Sequence, residues 1–178
     1  AYAPRISVVV PVYKTPETFL REMVDSVLNQ TYGNVELCLA DGSEEDHGPQ
    51  KILEAYAAQD PRIRYEKLPK NLGIAGNTNA ALDLATGEYV ALLDHDDFLE
   101  EHALFELVKW LQTHPEADMI YTDEDKVSFD SATFFQPHFK PDFNPDLLRT
   151  NNYICHFLMV KRTLMEQAGK YRESFDGA

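Results

Sequence analysis

The sequence has little positive charge, few cysteines and no hydrophobic run of membrane length. Its 178 residues include 16 lysines and arginines against 30 aspartates and glutamates, a formal net charge of −14. Proteins that bind nucleic acid normally carry clustered basic residues, so this deficit argues against a nucleic-acid partner. The first apolar run, Ile6–Val12, is too short for a signal peptide or a transmembrane segment, and no later run is longer than a buried strand or helix requires.

The only two cysteines, Cys38 and Cys155, stand alone in apolar contexts without the paired spacing of a zinc site. We therefore expect two buried thiols in the reducing cytoplasm. Neither composition nor linker-like segments suggest a second domain, so residues 1–178 are interpreted as one domain. Because the chain begins with Ala and stops at 175–178 without a helix or cap, we expect it to be part of a longer protein.

Short apolar runs alternate with helical stretches along most of the chain. Strands are predicted at 6–12, 35–40, 63–68, 89–93 and 119–122, and helices at 16–28, 45–58, 76–85 and 101–113, the first of them capped by Thr15. This alternation predicts an α/β fold with a mostly parallel central sheet and helices on both faces. Beyond it, the aromatic, proline-punctuated segment 129–143 predicts a loop or hairpin, followed by a strand at 153–160 and a helix at 162–168.

Polar clusters follow three of the predicted strands, at 13–14, 41–43 and 94–97. Ligands of open parallel sheets bind outside the carboxyl ends of the strands, so we expect these clusters to share one functional edge. The glycine- and asparagine-rich segment 71–79 fits either a ligand-binding loop or an ordinary turn into a helix.

Acidic residues concentrate between positions 94 and 125, where eleven carboxylates face one base, Lys109. They are Asp94, Asp96, Asp97, Glu100, Glu101, Glu106, Glu116, Asp118, Asp123, Glu124 and Asp125. Adjacent carboxylates repel one another, so three aspartates directly after a buried strand indicate a divalent cation bound through oxygen. Such a cation would also allow this acidic region to bind an anionic substrate.

Two other interpretations of 94–97 stay open. Asp97 could cap the next helix while its neighbours are solvated. Asp94 could instead be the nucleophile of a phosphotransferase, with Asp96 as its acid and base. The acidic segment 123–126 fits a solvated turn or a functional one, and three residues beyond the acidic region could reach a phosphate: His138, Lys140 and His156.

The order of these motifs resembles glycosyltransferase family 2, whose members are inverting enzymes of the GT-A fold. The matching segments are Ile6–Val12 with Tyr13, 26–32 (SVLNQTY), 40–43 (ADGS), 71–73 (NLG) and 85–97 (ATGEYVALLDHDD). Two later segments, 121–126 (YTDEDK) and 137–142 (PHFKPD), resemble the bacterial rhamnosyltransferase-like branch, which is associated with surface polysaccharides.

The resemblance implies a UDP- or dTDP-linked sugar donor, a saccharide or lipid-linked acceptor, and Mn²⁺ or Mg²⁺ as cofactor. Asp94 and Asp96 match the DXD motif, which implies that Asp96 binds the metal directly and that Asp94 holds ribose or a metal-bound water. The implied donor-binding residues are Pro11, Val12, Tyr13, Asp41, Asn71, Gly73, Asp94, His95 and Asp96. The cation would bridge the diphosphate and neutralise the charge of the leaving nucleotide.

The family's general base lies in an acidic motif shortly after a turn that resembles 175–178, so we expect the base beyond Ala178 and assign no catalytic residue. Two hypotheses follow: an inverting glycosyltransferase domain, or a module that holds nucleotide and metal without turnover. We expect a cytoplasmic protein, which a lipid-linked acceptor would bring to the inner face of the membrane.

Overall fold

The computed structural model describes residues 2–44 and 48–176. In chain order the first elements are β1 (Ile6–Val12), α1 (Glu17–Leu28), β2 (Val35–Asp41), α2 (Pro49–Gln59), β3 (Ile63–Lys67), α3 (Gly73–Asp83), β4 (Tyr89–Leu92) and α4 (Ala103–Leu111). They are followed by β5 (Met119–Tyr121), β6 (Glu124–Val127), β7 (Phe134–His138), α5 (Pro145–Thr150), β8 (Leu158–Lys161), α6 (Arg162–Ala168) and a 3-10 helix, Glu173–Phe175.

Six strands form one sheet in the order β3-β2-β1-β4-β8-β5, and β6 pairs with β7 in a separate hairpin. Strands β3, β2, β1 and β4 are parallel, which confirms the predicted fold class. Strand β8 was predicted as a strand, but it runs antiparallel between β4 and β5. Between β5 and β8 the chain forms only the hairpin and the short helix α5. A parallel β8 would require a longer crossover that returns the chain to the amino ends of the strands.

The sheet is buried on both faces. Residues of β1 alternate between two cores, with Val8 and Val10 on the face covered by α1, α2 and α4, and Val9 on the face covered by α3. Successive strand residues point to opposite faces, so a continuous apolar run such as Ile6–Val12 requires helices on both sides. These two layers hold the strand ends in place.

A fully buried carboxylate, Glu36, lies near the amino ends of the strands. It accepts hydrogen bonds from Ser7 Oγ at 2.5 Å and from the main-chain N–H of Thr86 at 2.6 Å, and it pairs with Arg5 at 2.9 Å. Burial acts to raise the pKa of Glu36, but these hydrogen bonds and the arginine charge outweigh it, so the pKa lies below its ordinary value. The ionised form therefore joins β1, β2 and the turn before β4.

Several boundaries and contacts differ from the sequence-based expectation. Thr15 does not cap α1: its hydroxyl is buried without a hydrogen-bond partner among the described residues, and Pro16 precedes the helix. Helix α3 begins at Gly73, three residues before its predicted start. Helix α2 begins at Pro49, whereas its predicted start at 45 falls on residues 45–47, outside the described part of the chain.

The two cysteines differ in exposure. Cys38 is buried, as expected, whereas Cys155 is exposed, so the expectation for the second thiol is wrong. Cys155 lies before the observed start of β8 and has a φ of 41°, which is not a strand conformation. Its side chain therefore does not follow the inward–outward alternation expected of the predicted strand. No helix in the described ranges is both long and apolar enough to span a membrane.

Candidate functional site

The predicted polar clusters meet at the carboxyl edge of the sheet. Val12 lies beside Asp41 in the parallel register, and Gly42 N donates to the carbonyl of Val12 at 2.9 Å. Lys14 N donates to Ser43 Oγ at 2.8 Å. The loops after β1 and β2 are therefore joined directly, and β4 ends beside them.

Asp41, the predicted contact to the nucleotide base, is fully buried beneath this edge. Its carboxylate accepts from Ser43 N at 2.8 Å and from Tyr65 OH at 3.2 Å, and Lys67 Nζ lies 3.4 Å away. Both carboxylate oxygens are therefore engaged, one with the loop after β2 and the other with β3, and the contact to a base stays a prediction.

The other donor-binding residues predicted from the first strand differ in accessibility. Val12 packs in the core, so its side chain presents no surface to a ligand. Pro11 and Tyr13 are half-buried and border the edge. The ammonium of the adjacent Lys14 lies 5.1 Å from the Tyr13 ring centroid, a cation–π contact.

Asn77, a residue that the sequence did not single out individually, organises the glycine- and asparagine-rich segment. It is buried on α3, its Oδ1 accepts from Leu72 N at 3.0 Å, and its Nδ2 donates to Asn71 Oδ1 at 2.9 Å. Gly73 adopts a φ of 78°, which favours glycine, and its N–H donates to Asn71 Oδ1 at 3.0 Å. The predicted loop is therefore a rigid turn braced from the first turns of α3.

Gly42 provides the space that Asn77 occupies, because a Cβ at position 42 would lie 2.7 Å from Asn77 Nδ2. We expect Gly42→Ala to displace the buried amide, loosen the turn at 71–73 and lower the free energy of unfolding by about 1–3 kcal/mol. Urea unfolding measures the effect. Gly33→Ala is the matched control, since a Cβ there meets nothing within 4 Å. Equal effects of the two substitutions would contradict this account.

Three side chains converge where β4 ends. One ligand atom from each of Asp94, Asp97 and His156 lies within 4.8 Å of the others. His156 Nε2 is 3.0 Å from Asp94 Oδ2. Hydrogen bonding between them raises the pKa of His156 and lowers that of Asp94. Burial raises the pKa of Asp97, the His156 charge opposes this, and the neighbouring carboxylates add to it. The group brings two carboxylates together with one imidazole, a set that a cation would stabilise.

The register of the sheet explains why His156 reaches this position. Leu92 of β4 lies opposite Leu158 of the antiparallel β8, so the residues before Leu158 lie beside those that follow Leu92. Sequence reasoning gave His156 little weight because a lone histidine is more often a core or surface residue than a ligand. It fell within the strand predicted at 153–160, whereas the observed strand begins at Leu158.

These three residues fit Mn²⁺ as a ligand set. Two carboxylates supply hard oxygen ligands, and an imidazole suits a transition metal better than Mg²⁺, which prefers oxygen ligands and water. Among the described residues, the buried Nδ1 atoms of His156 and His95 have no hydrogen-bond partner. His156 thus has one nitrogen paired with Asp94 and a second that is unused.

Asp96 lies outside the converging group of described residues, although the sequence predicted it as the direct metal ligand. Its carboxylate is exposed and lies 3.8 Å from His95 Nδ1. Asp97, which the sequence left open as a helix cap, belongs to the group instead. Helix α4 begins only at Ala103, and His102 occupies its N-cap position, so Asp97 does not cap it.

Asp176, which was not assigned a catalytic role, accepts a hydrogen bond from Ala75 N at 2.9 Å. It lines a cavity of about 400 Å³ beside the start of α3. Lys170 and Arg172 line the same cavity. The C-terminal part of the described chain therefore packs against the turn at 71–73.

The sheet topology and this strand-edge site define a glycosyltransferase domain of the GT-A type. The chain belongs to glycosyl transferase family 2, because the model of this family matches residues 7–169. This membership supports the glycosyltransferase hypothesis over the phosphotransferase.

The O-antigen biosynthesis protein RfbC of Myxococcus xanthus is 38% identical over 98% of this chain and 14% of its own length. The chain spans between 14% and 19% of the length of three curated relatives.

Two solved structures share the fold. TarS 1–349 of S. aureus in complex with UDP matches 98% of this chain and 52% of its own, with a TM-score of 0.76 and 20% identity. The mannosyltransferase PcManGT of Pyrobaculum calidifontis, in complex with GDP-Man and Mn²⁺, matches 96% of this chain and 48% of its own, with a TM-score of 0.69 and 22% identity. At these identities the likeness establishes the fold alone.

Proposed function

We propose that this chain binds a nucleotide-diphosphate sugar at the carboxyl edge of its sheet. We further propose that the protein to which it belongs transfers the sugar, with inversion, to an acceptor hydroxyl. The observation that supports this most strongly is the convergence of Asp94, Asp97 and His156 within 4.8 Å at the end of β4. Family membership supplies the reaction class, and the strand-edge position matches where open α/β sheets bind ligands.

In this proposal Asp94, Asp97 and His156 hold Mn²⁺, and the exposed Asp96 is a further ligand available from the same turn. When bound, the cation supplies positive charge to the diphosphate as the nucleotide leaves. The protein's own contribution is to keep the carboxylates close together despite their repulsion. It does so by placing them directly after a buried strand, where the main chain is fixed.

The donor is proposed to lie between the metal group and the braced turn. In this proposal Pro11, Tyr13, Asn71 and Gly73 border the donor, with His95 and the buried Asp41 at its margin. The glycines at positions 42 and 73 make room for the side chains of Asn77 and Asp176, which pack against the main chain there. A UDP- or dTDP-linked sugar remains the proposed donor.

Synthesis of a bacterial surface polysaccharide is the proposed setting, with a saccharide or a lipid-linked saccharide as acceptor. The Myxococcus xanthus relative is named for O-antigen biosynthesis, which supports this assignment. The segments 121–126 and 137–142, which resemble the rhamnosyltransferase-like branch, form part of the structure around the metal group.

Calorimetric titration of this chain with UDP, dTDP and GDP, each with Mn²⁺ and with EDTA, tests the proposal. We expect one nucleotide to bind at least about tenfold more tightly with Mn²⁺, because the cation offsets repulsion between the diphosphate and the acidic edge. Tight binding that is indifferent to Mn²⁺ would contradict the metal bridge. Absence of binding by all three nucleotides would contradict the donor site itself.

A further inference from the structure

Lys140 is buried although it follows an exposed hairpin. Its side chain is 1% exposed, and its ammonium donates to the carbonyls of Ile154, at 2.6 Å, and His156. The same nitrogen lies 3.3 Å from Glu124 Oε2. An ammonium has three N–H donors, and here each has one acceptor. A buried charge is tolerated only when it is paired and hydrogen-bonded in this way.

Glu124 completes the arrangement from the other side. Its Oε2 also accepts from the main-chain N–H of His156 at 3.3 Å, and its Oε1 lies 3.1 Å from His138 Nδ1. Both main-chain polar groups of His156 are therefore held by the pair of Glu124 and Lys140. The buried member of this ion pair is Lys140, whereas the Glu124 side chain is 31% exposed.

The segment that carries His156 needs such support. Residues 151–157 lie outside regular secondary structure, and Cys155 has a φ of 41°, a costly conformation for a residue with a side chain. Strained main chain persists where its surroundings hold it in place. Helices α5 and α6 do not include this segment. At its end the carbonyl of Phe157 accepts from Thr122 N at 3.1 Å, and side-chain contacts hold the main chain of His156 itself.

We propose that Lys140 and Glu124 are positioning residues that fix the main chain of His156 and so direct its imidazole toward Asp94 and Asp97. The inference rests on the proposed function, because it concerns the nitrogen ligand of the metal group. It adds a role for two residues on the hairpin that touch neither donor nor metal. Residues that orient metal ligands affect affinity strongly even without contacting the ion.

The test uses Lys140→Met, which keeps most of the side-chain volume and removes all three hydrogen bonds. We expect Mn²⁺ affinity to fall by about tenfold or more. Pulsed electron paramagnetic resonance of bound Mn²⁺ should show coupling to an imidazole nitrogen in the wild-type chain and none in Lys140→Met. His156→Ala should show the same loss. Lys126→Met is the control, because that exposed lysine on the same hairpin contacts only Gln136, at 3.0 Å.

The outcomes separate this inference from the proposed function. Nitrogen coupling that survives in Lys140→Met overturns the positioning role and leaves the metal site intact. If the wild-type chain binds Mn²⁺ without nitrogen coupling, His156 is not a ligand and the positioning role is overturned. If the wild-type chain binds no Mn²⁺, the proposed metal site is overturned as well. If circular dichroism shows that Lys140→Met does not fold, Glu124→Gln takes its place, with the same expected loss of coupling.

Discussion

Replacing Asp94 with asparagine is expected to weaken Mn²⁺ binding by this chain by about 100-fold or more, which corresponds to about 2.7 kcal/mol. Asp94 supplies a charged oxygen and also pairs with His156 Nε2 at 3.0 Å, so the substitution removes one ligand and the orientation of another. Titration followed by electron paramagnetic resonance measures free and bound Mn²⁺ directly. Glu101→Gln removes the same charge from an exposed position beyond the metal group and should change affinity little.

The same titration decides between the two interpretations of the acidic motif. The structure groups Asp97 with Asp94 and His156, so Asp97→Asn should weaken Mn²⁺ binding more than Asp96→Asn does. The resemblance to the family predicts the opposite order. A larger loss for Asp96→Asn would show that the carboxylates rearrange when the ion binds.

Replacing Glu36 with glutamine is expected to lower the free energy of unfolding by about 2–4 kcal/mol at neutral pH. The buried carboxylate accepts from Ser7 and from Thr86 and pairs with Arg5, and a neutral amide cannot serve all of these partners. Urea unfolding monitored by circular dichroism provides the measurement. Glu66→Gln on the adjacent strand β3 is the control, because Glu66 is exposed.

The stabilising contribution of Glu36 is expected to change with pH in one direction. The pKa of Glu36 is lower in the folded chain than in the unfolded chain, so its stabilising contribution is present above the unfolded value, about 4.3. The contribution is lost as pH falls through the folded pKa, because the unfolded chain takes up the proton first. The difference between wild type and Glu36→Gln should therefore shrink below about pH 4. A difference that grows with acidity would show that the carboxyl group is protonated in the folded chain.

Local sequence patterns predicted most of the layered fold because each element carries its own signal. The apolar run at Ile6–Val12 requires burial on both faces, and the alternation of strands with helices leaves few parallel arrangements. The acidic turn after β4 was recognisable for the same reason, because its charge and its position after a buried strand can both be identified within one short segment. These local features are sufficient to predict Asp94 as a site residue.

The remaining features depend on which distant segments meet. Whether β8 runs parallel or antiparallel is not encoded in its four residues, yet this direction brings His156 beside Asp94. The sequence predicted that Lys140, in an aromatic loop, could reach a phosphate. This prediction is wrong, because the side chain is 1% exposed and its ammonium pairs with Glu124 at 3.3 Å.

The sequence by itself determined the α/β layering, the family and the acidic edge, because hydrophobic periodicity and motif spacing are properties of short segments. The tertiary structure alone brought together the three residues of the proposed metal group, Asp94, Asp97 and His156, and left Asp96 outside this cluster of described residues. The physical reason is that a ligand set is defined by distances of a few ångströms between residues about sixty positions apart. Sheet register sets those distances, and it cannot be inferred from a single segment.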